Sequence, residues 1–279
     1  MVKINMERIN IITDNLKNKI LKFLYHDEIY NTILIDLIQN NINDIGELYI
    51  NKTQERITDI LHIKNDGNSY LTNFSYTNKI GLKDIAFKIN ELNYKRILLS
   101  GKMADVKDII RILGYKRNIT PNIFYNLNQD KYKNINKRYK TKVRLANFRD
   151  KDLEIIKKFT VSFLEAETEE EIKSVTNNEK ILEKVKMGVY ILYYENKPIG
   201  MARFIGKTRK FAEITSVYID KDYRNKGLGK ELIGHMIDTA IREYKNPILV
   251  TSVLNKSAMK TYESMGFERQ LDYAYEFLT

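Results

Sequence analysis

A short basic segment with two glycines could bind a phosphate group. It follows the β-prone run Val217-Tyr218-Ile219 and reads Arg224-Asn225-Lys226-Gly227-Leu228-Gly229-Lys230; we call residues 224–230 the glycine loop. Backbone amides at the start of a helix lack intrahelical partners and lie at the positive end of the helix dipole. Glycines let that backbone approach a bound anion closely. The segment therefore predicts a pyrophosphate cradle at the start of a helix.

The elements around the glycine loop follow an α+β order. From residue 141 onward, hydrophobic periodicity and turn residues predict these elements: a strand at 143–148, a helix to about 165, a polar helix to about 186, a hairpin of 188–194 and 199–205, a strand at 211–219, the glycine loop with a helix at 227–244, a strand at 247–252, a helix at 256–265 and a last strand or hairpin at 267–278. The glycine loop thus joins a strand to a helix in the middle of this half.

This order resembles that of the GNAT superfamily of N-acetyltransferases, and three local signatures carry the resemblance. They are Phe211-Ala212-Glu213-Ile214, then Val217-Tyr218-Ile219 leading into Arg-x-x-Gly-x-Gly at 224–229, and Asn255-x-x-Ala258-x-x-x-Tyr262-x-x-x-Gly266-Phe267. The loop lacks both the third glycine of the dinucleotide fingerprint and the Gly-Lys-Ser/Thr ending of nucleotide triphosphate loops. The resemblance implies a GNAT fold, a mixed and mostly antiparallel sheet flanked by helices, with acetyl-CoA as the donor and no metal.

The resemblance also implies roles for individual residues. Val217 and Ile219, on either side of Tyr218, would offer main-chain groups to the pantetheine arm and the thioester carbonyl, and the amides of residues 224–230 would hold the pyrophosphate. Asn255 begins the last helix, and GNAT proteins often direct the asparagine at this position towards the cofactor. Glu213 resembles the catalytic glutamate of the histone-acetylating members. Tyr262 resembles the tyrosine that protonates the leaving thiolate.

Regular strand geometry makes a further prediction about Glu213. Residues 211, 213, 215, 217 and 219 of a regular strand share one face, so we expect the Glu213 carboxylate on the same side as Val217 and Ile219. The alternative is a glutamate that faces solvent beside Arg209 and Lys210. For Tyr262 the alternative is an aromatic ring that only packs against the cofactor arm.

The first half of the chain repeats the order of the second at a spacing of about 151 residues. Ile97-Leu98-Leu99-Ser100 matches Ile248-Leu249-Val250-Thr251, and Gly114-Tyr115 matches Gly266-Phe267. The segment that corresponds to the glycine loop, residues 77–83, has one glycine and no arginine. We predict a degenerate GNAT-like or accessory α+β domain at 1–127, a basic linker at 128–141 and a catalytic GNAT domain at 142–279.

Composition limits the chemistry further. The chain has no cysteine, which excludes disulfides, thiolate-metal sites and a cysteine-linked acyl intermediate. We therefore expect direct transfer within a ternary complex. No apolar run approaches the ~18 residues of a membrane span, and we expect a cytoplasmic protein without a membrane partner. The net charge of +11, most of it in residues 1–140, is compatible with nucleic acid, but we favour a small-molecule amine or a lysine-containing acceptor.

Three functions remain open at this point. The first is an N-acetyltransferase that uses acetyl-CoA, with the acidic run 165–171 favouring a cationic acceptor such as a polyamine, an aminoglycoside or a lysine side chain. The second is a non-catalytic acyl-CoA sensor, against which Glu213 and Tyr262 argue together. The third is a tandem aminoacyl transferase that uses charged tRNA; the basic charge fits it, but the intact glycine loop favours coenzyme A. Whether the first half mediates a homodimer is also open.

Overall fold

Each half of the chain contributes six strands to one continuous sheet. The computed structural model describes residues 6–40 and 45–278. The strands are β1 Glu7–Ile9, β2 Glu47–Thr53, β3 Arg56–Asn65, β4 Tyr70–Tyr76, β5 Ile97–Lys102, β6 Asn122–Leu127, β7 Lys142–Leu145, β8 Val189–Tyr194, β9 Lys197–Ile205, β10 Phe211–Ile219, β11 Asn246–Ser252 and β12 Phe267–Leu278. Their spatial order is β1-β2-β3-β4-β5-β12-β6-β11-β10-β9-β8-β7.

Ten α-helices of the described residues flank this sheet. They are α1 Asp14–Leu24, α2 Thr32–Asn40, α3 Lys79–Leu92, α4 Met103–Ile112, α5 Gln129–Lys133, α6 Asp150–Leu164, α7 Glu169–Val175, α8 Asn178–Met187, α9 Leu228–Arg242 and α10 Lys256–Ser264. A 3₁₀ helix, Tyr25–Tyr30, joins α1 to α2. The series β2-β3-β4-α3-β5-α4-β6 recurs as β8-β9-β10-α9-β11-α10-β12, so the repeat predicted between the halves is present. None of the helices within 6–40 and 45–278 is both long and apolar enough to cross a membrane.

The last strand of each half is inserted into the sheet of the other half. Strand β6 lies between β11 and β12, and β12 lies between β5 and β6, with antiparallel pairing throughout. Because each strand satisfies the backbone hydrogen bonds of its neighbours, the two halves share one hydrogen-bonded core. The predicted domain boundaries near residues 127 and 142 stay predictions.

The sheet opens where its two parallel strand pairs diverge. Strands β10 and β11 pair only over three residues, from Phe211 to Glu213 against Asn246 to Ile248. Strands β4 and β5 pair only at Tyr70 and Leu71. Beyond those points the facing edges have no ladder partner among the described residues, which leaves a gap in each half. The glycine loop follows the second gap.

Helix α9 is held firmly against the sheet, and this fixes the loop that precedes it. Its apolar residues recur every three or four positions, and Leu232, Ile233, Met236 and Ile237 are fully buried in the core beneath it. Each such side chain contributes roughly 1.5–3 kcal/mol by burial. A loop that ends in a helix anchored in this way keeps its backbone amides in fixed directions.

The predicted basic linker also packs against α9. Tyr132 in α5 is buried, and its hydroxyl donates to Asp238 on α9 at 2.7 Å; Tyr139 donates to the same carboxylate at 3.0 Å. Gly234 makes this approach possible, since a Cβ there would lie 2.4 Å from the Tyr139 hydroxyl. The segment therefore contains the short helix α5 and packs against the back of the helix that carries the glycine loop.

Two predicted helices differ from the structure. The helical spacing of Ile9, Ile12, Leu16, Ile20 and Leu24 predicts one helix, but Ile9 lies in β1 and α1 begins at Asp14. The polar helix predicted after the acidic run is two helices, α7 and α8, separated at Thr176 and Asn177. In both cases an N-cap residue determines where the helix begins: the side chain of Thr13 accepts a hydrogen bond from the Leu16 amide of α1, and that of Asn177 from the Lys180 amide of α8.

Candidate active site

The glycine loop presents a row of unpaired backbone amides. Gly227 is the N-cap of α9 with a φ of +77°, and Asn225 also has a positive φ. The amides of Lys230 and Glu231 donate to the Gly227 carbonyl. Within the part of the chain that the structure describes, the amides of residues 225–229 donate to no protein acceptor. Five free donors at a helix start fit the anion cradle predicted from the sequence.

The loop's charged side chains are exposed and anchored by the backbone. Arg224 donates from Nε to the Ile219 carbonyl at 3.0 Å, and its guanidinium lies 5.7 Å from the centre of the Tyr218 ring. Lys226 donates to the Asp222 carbonyl at 2.9 Å. Lys230 lies in the first turn of α9. The cations therefore surround the free amides and leave them accessible.

Val217, Ile219, Leu228 and Tyr262 come together on the α9 face of the sheet. Val217 and Ile219 pack on the apolar cluster that contains Leu228 and Tyr262. Tyr218 points the other way and packs against Phe159 of α6 with ring centres 5.4 Å apart. The residues predicted to hold a donor thus line one side of the gap between β10 and β11.

Glu213 lies on the opposite face, contrary to the prediction. A β-bulge between Thr215 and Tyr218 places two residues of β10 opposite one residue of β9, and Ser216 there has a φ of +51°. One extra residue reverses the alternation of a strand. Glu213 and Thr215 therefore share a face with Tyr218, whereas Val217 and Ile219 face α9. The error came from applying the two-residue period across the bulge.

The Glu213 carboxyl is buried at the end of the β10–β11 ladder. Its exposed fraction is 8%, so the alternative of a solvent-facing glutamate is excluded by the structure. Burial raises the pKa of Glu213 to about 7, against a smaller opposing effect of the nearby Arg203 charge. A carboxyl group with a pKa near neutrality can both accept and release a proton at physiological pH.

Glu213 opens into a cavity of about 190 Å³ between the two halves, which we call the central cavity. Its walls come mainly from the first half: the 3₁₀ helix and the start of α2, the ends of β4 and β5, and Phe124 of β6. Val250 and Tyr273 join Glu213 from the second half. Because Tyr273 lies on the exchanged strand β12, the cavity exists only when both halves are assembled.

Paired charges and hydroxyls line the far side of the central cavity. Lys102 forms an ion pair with Asp27 at 3.0 Å and lies 4.1 Å from the centre of the Tyr30 ring. The Tyr76 hydroxyl donates to Asp105, which also pairs with Lys79 at 3.4 Å. The wall is polar and almost charge-neutral, which suits a small polar molecule.

The 3₁₀ helix is fixed to the second half by direct contacts. Glu28 accepts hydrogen bonds from the Thr208 hydroxyl and the Lys210 amide, both at 2.8 Å. Gly206 allows close packing, since a Cβ there would lie 2.9 Å from the Thr32 side chain. These contacts hold the 3₁₀ helix, which covers the central cavity, in place above β10.

Tyr262 and Asn255 position helix α10 beside the gap. Tyr262 is buried, with edge contacts to Tyr125 and Phe267, and among the described residues its hydroxyl has no hydrogen-bond partner. Burial raises the pKa of Tyr262 to about 12, so the phenol stays protonated at physiological pH. The Asn255 side chain accepts a hydrogen bond from the Ala258 amide at 3.0 Å and caps α10.

At the corresponding helix start in the first half, that of α3, protein side chains take the place that an anion would need. Asn78 caps α3 by accepting hydrogen bonds from the Ile80 and Gly81 amides at 2.9 and 3.3 Å. The buried Asp59 carboxylate lies against Gly81, where a Cβ would be 1.8 Å from its Oδ1. A fixed negative charge at this helix start repels a pyrophosphate, so the degenerate loop predicted in this half has a structural cause.

The acidic run serves mainly to begin helix α7. Glu171 accepts hydrogen bonds from the Glu167 and Thr168 amides and forms a capping box with Thr168. Glu169 and Glu170 are exposed, and no residue of the run lines the central cavity. The structure thus gives the run a capping role and no contact with the Glu213 site.

Sequence reasoning missed the residues that the first half contributes. Tyr30, Lys102 and Asp105 reach the site only through the strand exchange, and no local motif marks them. Arg203 was also missed, although its place on β9 beside the predicted strand β10 could have drawn attention to it.

Comparison with known proteins agrees with this architecture. The profile of the Acetyltransferase (GNAT) family matches residues 153–267. An uncharacterized N-acetyltransferase of Methanocaldococcus jannaschii is 28% identical over 97 residues, which are 32% of this chain and 43% of that protein. The matched part of the chain therefore spans less than half of this relative.

Solved structures match nearly the whole chain. A GNAT-family acetyltransferase from Colwellia psychrerythraea aligns with a TM-score of 0.61 and 13% identity over 98% of this chain and 99% of that one. A tandem GNAT protein from the clavulanic acid biosynthesis pathway aligns with a TM-score of 0.67 and 8% identity, covering 98% and 97%. At such identities the likeness concerns the fold, and it confirms a tandem of two GNAT-like halves.

Proposed function

We propose that the protein is an acetyl-CoA-dependent N-acetyltransferase acting on a small-molecule amine, since residues 153–267 match the profile of the acetyltransferase (GNAT) family and the site described above has room for a donor and an acceptor. One observation carries the proposal. The free amides of the glycine loop and the buried Glu213 carboxyl lie on the two sides of the gap where β10 and β11 separate. A donor held on the α9 face and an acceptor in the central cavity would meet in that gap.

The residues of this chain fit the donor. The amides of residues 225–229, with Arg224, Lys226 and Lys230 around them, would hold the pyrophosphate. The main chain of Val217 and Ile219 would orient the thioester and polarise its carbonyl, an effect typically worth a few kcal/mol. Bound acetyl-CoA supplies the activated acetyl group. Asn255, whose side chain already caps α10, would face the donor chiefly through its backbone.

Two side chains would move protons. Glu213 takes a proton from the ammonium group of the acceptor before the neutral amine attacks the thioester, or from the amine nitrogen as it attacks, and its pKa near 7 suits that role at physiological pH. Tyr262 donates a proton to the departing thiolate, and its raised pKa ensures that it is protonated beforehand. With the acetyl group passing directly to the amine, no covalent acyl-enzyme is required.

A free-thiol release assay tests the proposal. We expect acetyl-CoA-dependent thiol release with at least one member of a panel of amines, aminoglycosides, amino acids and lysine peptides, and loss of that release in Glu213→Gln. Glu170→Gln is the matched control, because Glu170 is exposed and lies outside the cavity. Saturable acetyl-CoA binding without release for any amine would instead identify a sensor. Tight tRNA binding without acetyl-CoA binding would identify an aminoacyl transferase.

A further inference from the structure

Arg203 is a partly buried cation that forms no ion pair with a described carboxylate. It lies on β9, where its Nε donates to the Ser216 hydroxyl at 3.1 Å, and one Nη lies 3.8 Å from the Met187 sulfur. Among the described residues, no Asp or Glu oxygen is within ion-pair distance of its guanidinium. Guanidinium groups have five donors, so most of those of Arg203 are available to a ligand.

Lys184 is a second cation in the same place. It projects from α8, forms no hydrogen bond or ion pair with any described residue, and lies close enough to Arg203 for their charges to repel. Burial and this repulsion lower the pKa of Lys184 to about 8. The neighbouring Glu183 does not neutralise it, because Glu183 is exposed and pairs at 3.5 Å with Lys64 of the first half.

Two cations without an ion-pair partner among the described residues, in a partly buried place, are costly for a folded protein, and the charges of Glu183 and Glu213 offset this cost only in part. Water or a bound anion would lower the remaining cost. Lys180, one turn earlier on α8, adds to the positive potential. Among the described residues, Arg203, Lys184 and Lys180 thus form a group of positive charges where α8 packs on β9, which we call the basic cluster.

The basic cluster adjoins Glu213 on the face of the sheet opposite α9. Arg203 pairs with Thr215, two residues from Glu213 on the same face. Diagonal neighbours on antiparallel strands are about 7–8 Å apart, so the two side chains can contact one small molecule. Val217 and Ile219 face α9 on the other side of the sheet. The sheet therefore separates the basic cluster from the residues that we propose to hold the donor.

We propose that Arg203 and Lys184 form an anion subsite that binds a carboxylate or phosphate group of the acceptor, a few bonds from the amine that meets Glu213. This inference rests on the proposed function and names its substrate class: an amine with an anionic group, such as an amino acid. The remaining atoms of this acceptor would extend into the central cavity. It replaces the cationic acceptor that the acidic run suggested.

Matched pairs of acceptors test the subsite. Glycine, β-alanine and O-phosphoethanolamine carry an anion, whereas glycinamide, β-alaninamide and ethanolamine do not. We expect a higher kcat/KM for the anionic member of at least one pair, and the pairs distinguish carboxylate from phosphate. Loss of a charge-assisted contact in Arg203→Met or Lys184→Met should raise the KM for that acceptor on the order of 10- to 100-fold. The KM for acetyl-CoA should not change.

Lys186→Met is the matched control, since Lys186 is an exposed lysine on the same helix. Equal kcat/KM values for the anionic and neutral members of every pair, or equal effects of Lys184→Met and Lys186→Met, would overturn the subsite and leave the acetyltransferase proposal standing. Arg203→Lys should restore part of the preference, because it returns the charge without the fork of donors.

A binding measurement decides the case in which no amine is turned over. The absence of turnover with every amine would count against the proposed function. The subsite still predicts that phosphate or acetate raises the Tm of the wild-type protein more than chloride does at equal ionic strength. We expect a smaller rise in Tm in the single variant Lys184→Met and in the double variant Lys184→Met/Arg203→Met. The control Lys186→Met should show the same rise as the wild type. Equal increments in all four proteins would refute the subsite.

Discussion

Replacing Glu213 with glutamine should make the protein more stable and less active at the same time. The pKa of Glu213 is about 7 in the folded protein, against 4.5 for a glutamate exposed to water. Below pH 4.5 both states are protonated, and between 4.5 and 7 only the folded state keeps the proton. Stability therefore falls as pH rises through this window and stays lower above it.

The size of the effect follows from the same values. A difference of 2.5 pKa units at about 1.36 kcal/mol each gives at most about 3 kcal/mol. Glutamine is neutral at every pH and avoids this cost. We expect Glu213→Gln to raise the free energy of unfolding by about 2–3 kcal/mol at pH 8 and by less than about 1 kcal/mol at pH 5.

Urea unfolding at pH 5 and pH 8 measures this difference, with Glu170→Gln as the exposed control. In the same variant, removal of a general base should lower kcat by about 10²–10⁴-fold. In the wild type, kcat/KM should rise with pH through about 7. A variant that is destabilised equally at both pH values would refute the reasoning about burial, and one with full activity would refute the catalytic role.

Four further predictions follow from the site and the fold. Arg224→Met should raise the KM for acetyl-CoA on the order of tenfold without changing the acceptor KM, as initial rates can show; an equal effect on both would contradict the donor role. Tyr262→Phe removes a hydroxyl that has no hydrogen-bond partner among the described residues, so kcat should fall while the Tm stays nearly constant; a lower Tm with unchanged kcat would mean that the ring serves only in packing. Glu169→Gln with Glu170→Gln should leave the preference among acceptors unchanged in the thiol assay. Residues 142–279 alone should not give a folded monomer by gel filtration and circular dichroism, since β11 and β12 would lose β6 and expose their edges.

Local sequence signals were sufficient for the elements that carry the donor site. Helix α9 was predicted because its apolar residues follow a helical period and bury one face, and its start was predicted from Gly227 and Gly229. Strand β10 was predicted at 211–219, the bounds it has in the structure. These features depend on neighbours within a few residues, so the sequence specifies them directly.

The acceptor side depends on contacts that local patterns do not encode. The bulge at Ser216 was missed because nothing in an apparently regular strand requires a left-handed residue there. It moved Glu213 to the face opposite Val217. The central cavity was missed because it needs β12 beside β5, a pairing of residues about 175 positions apart. Tertiary topology, and not propensity, decides both.

In the proposed function, the two halves contribute different parts of one active site. In the second half, free amides begin the helix after the gap; in the first, Asn78 and Asp59 fill the equivalent helix start. A helix start with a buried carboxylate cannot also hold a pyrophosphate, so only one donor site remains. The first half is nevertheless required, because β6 completes the sheet beside β11 and the 3₁₀ helix covers Glu213. In the proposed function, the first half therefore supplies most of the walls of the acceptor site, and we expect acceptor specificity to change most when those walls are altered.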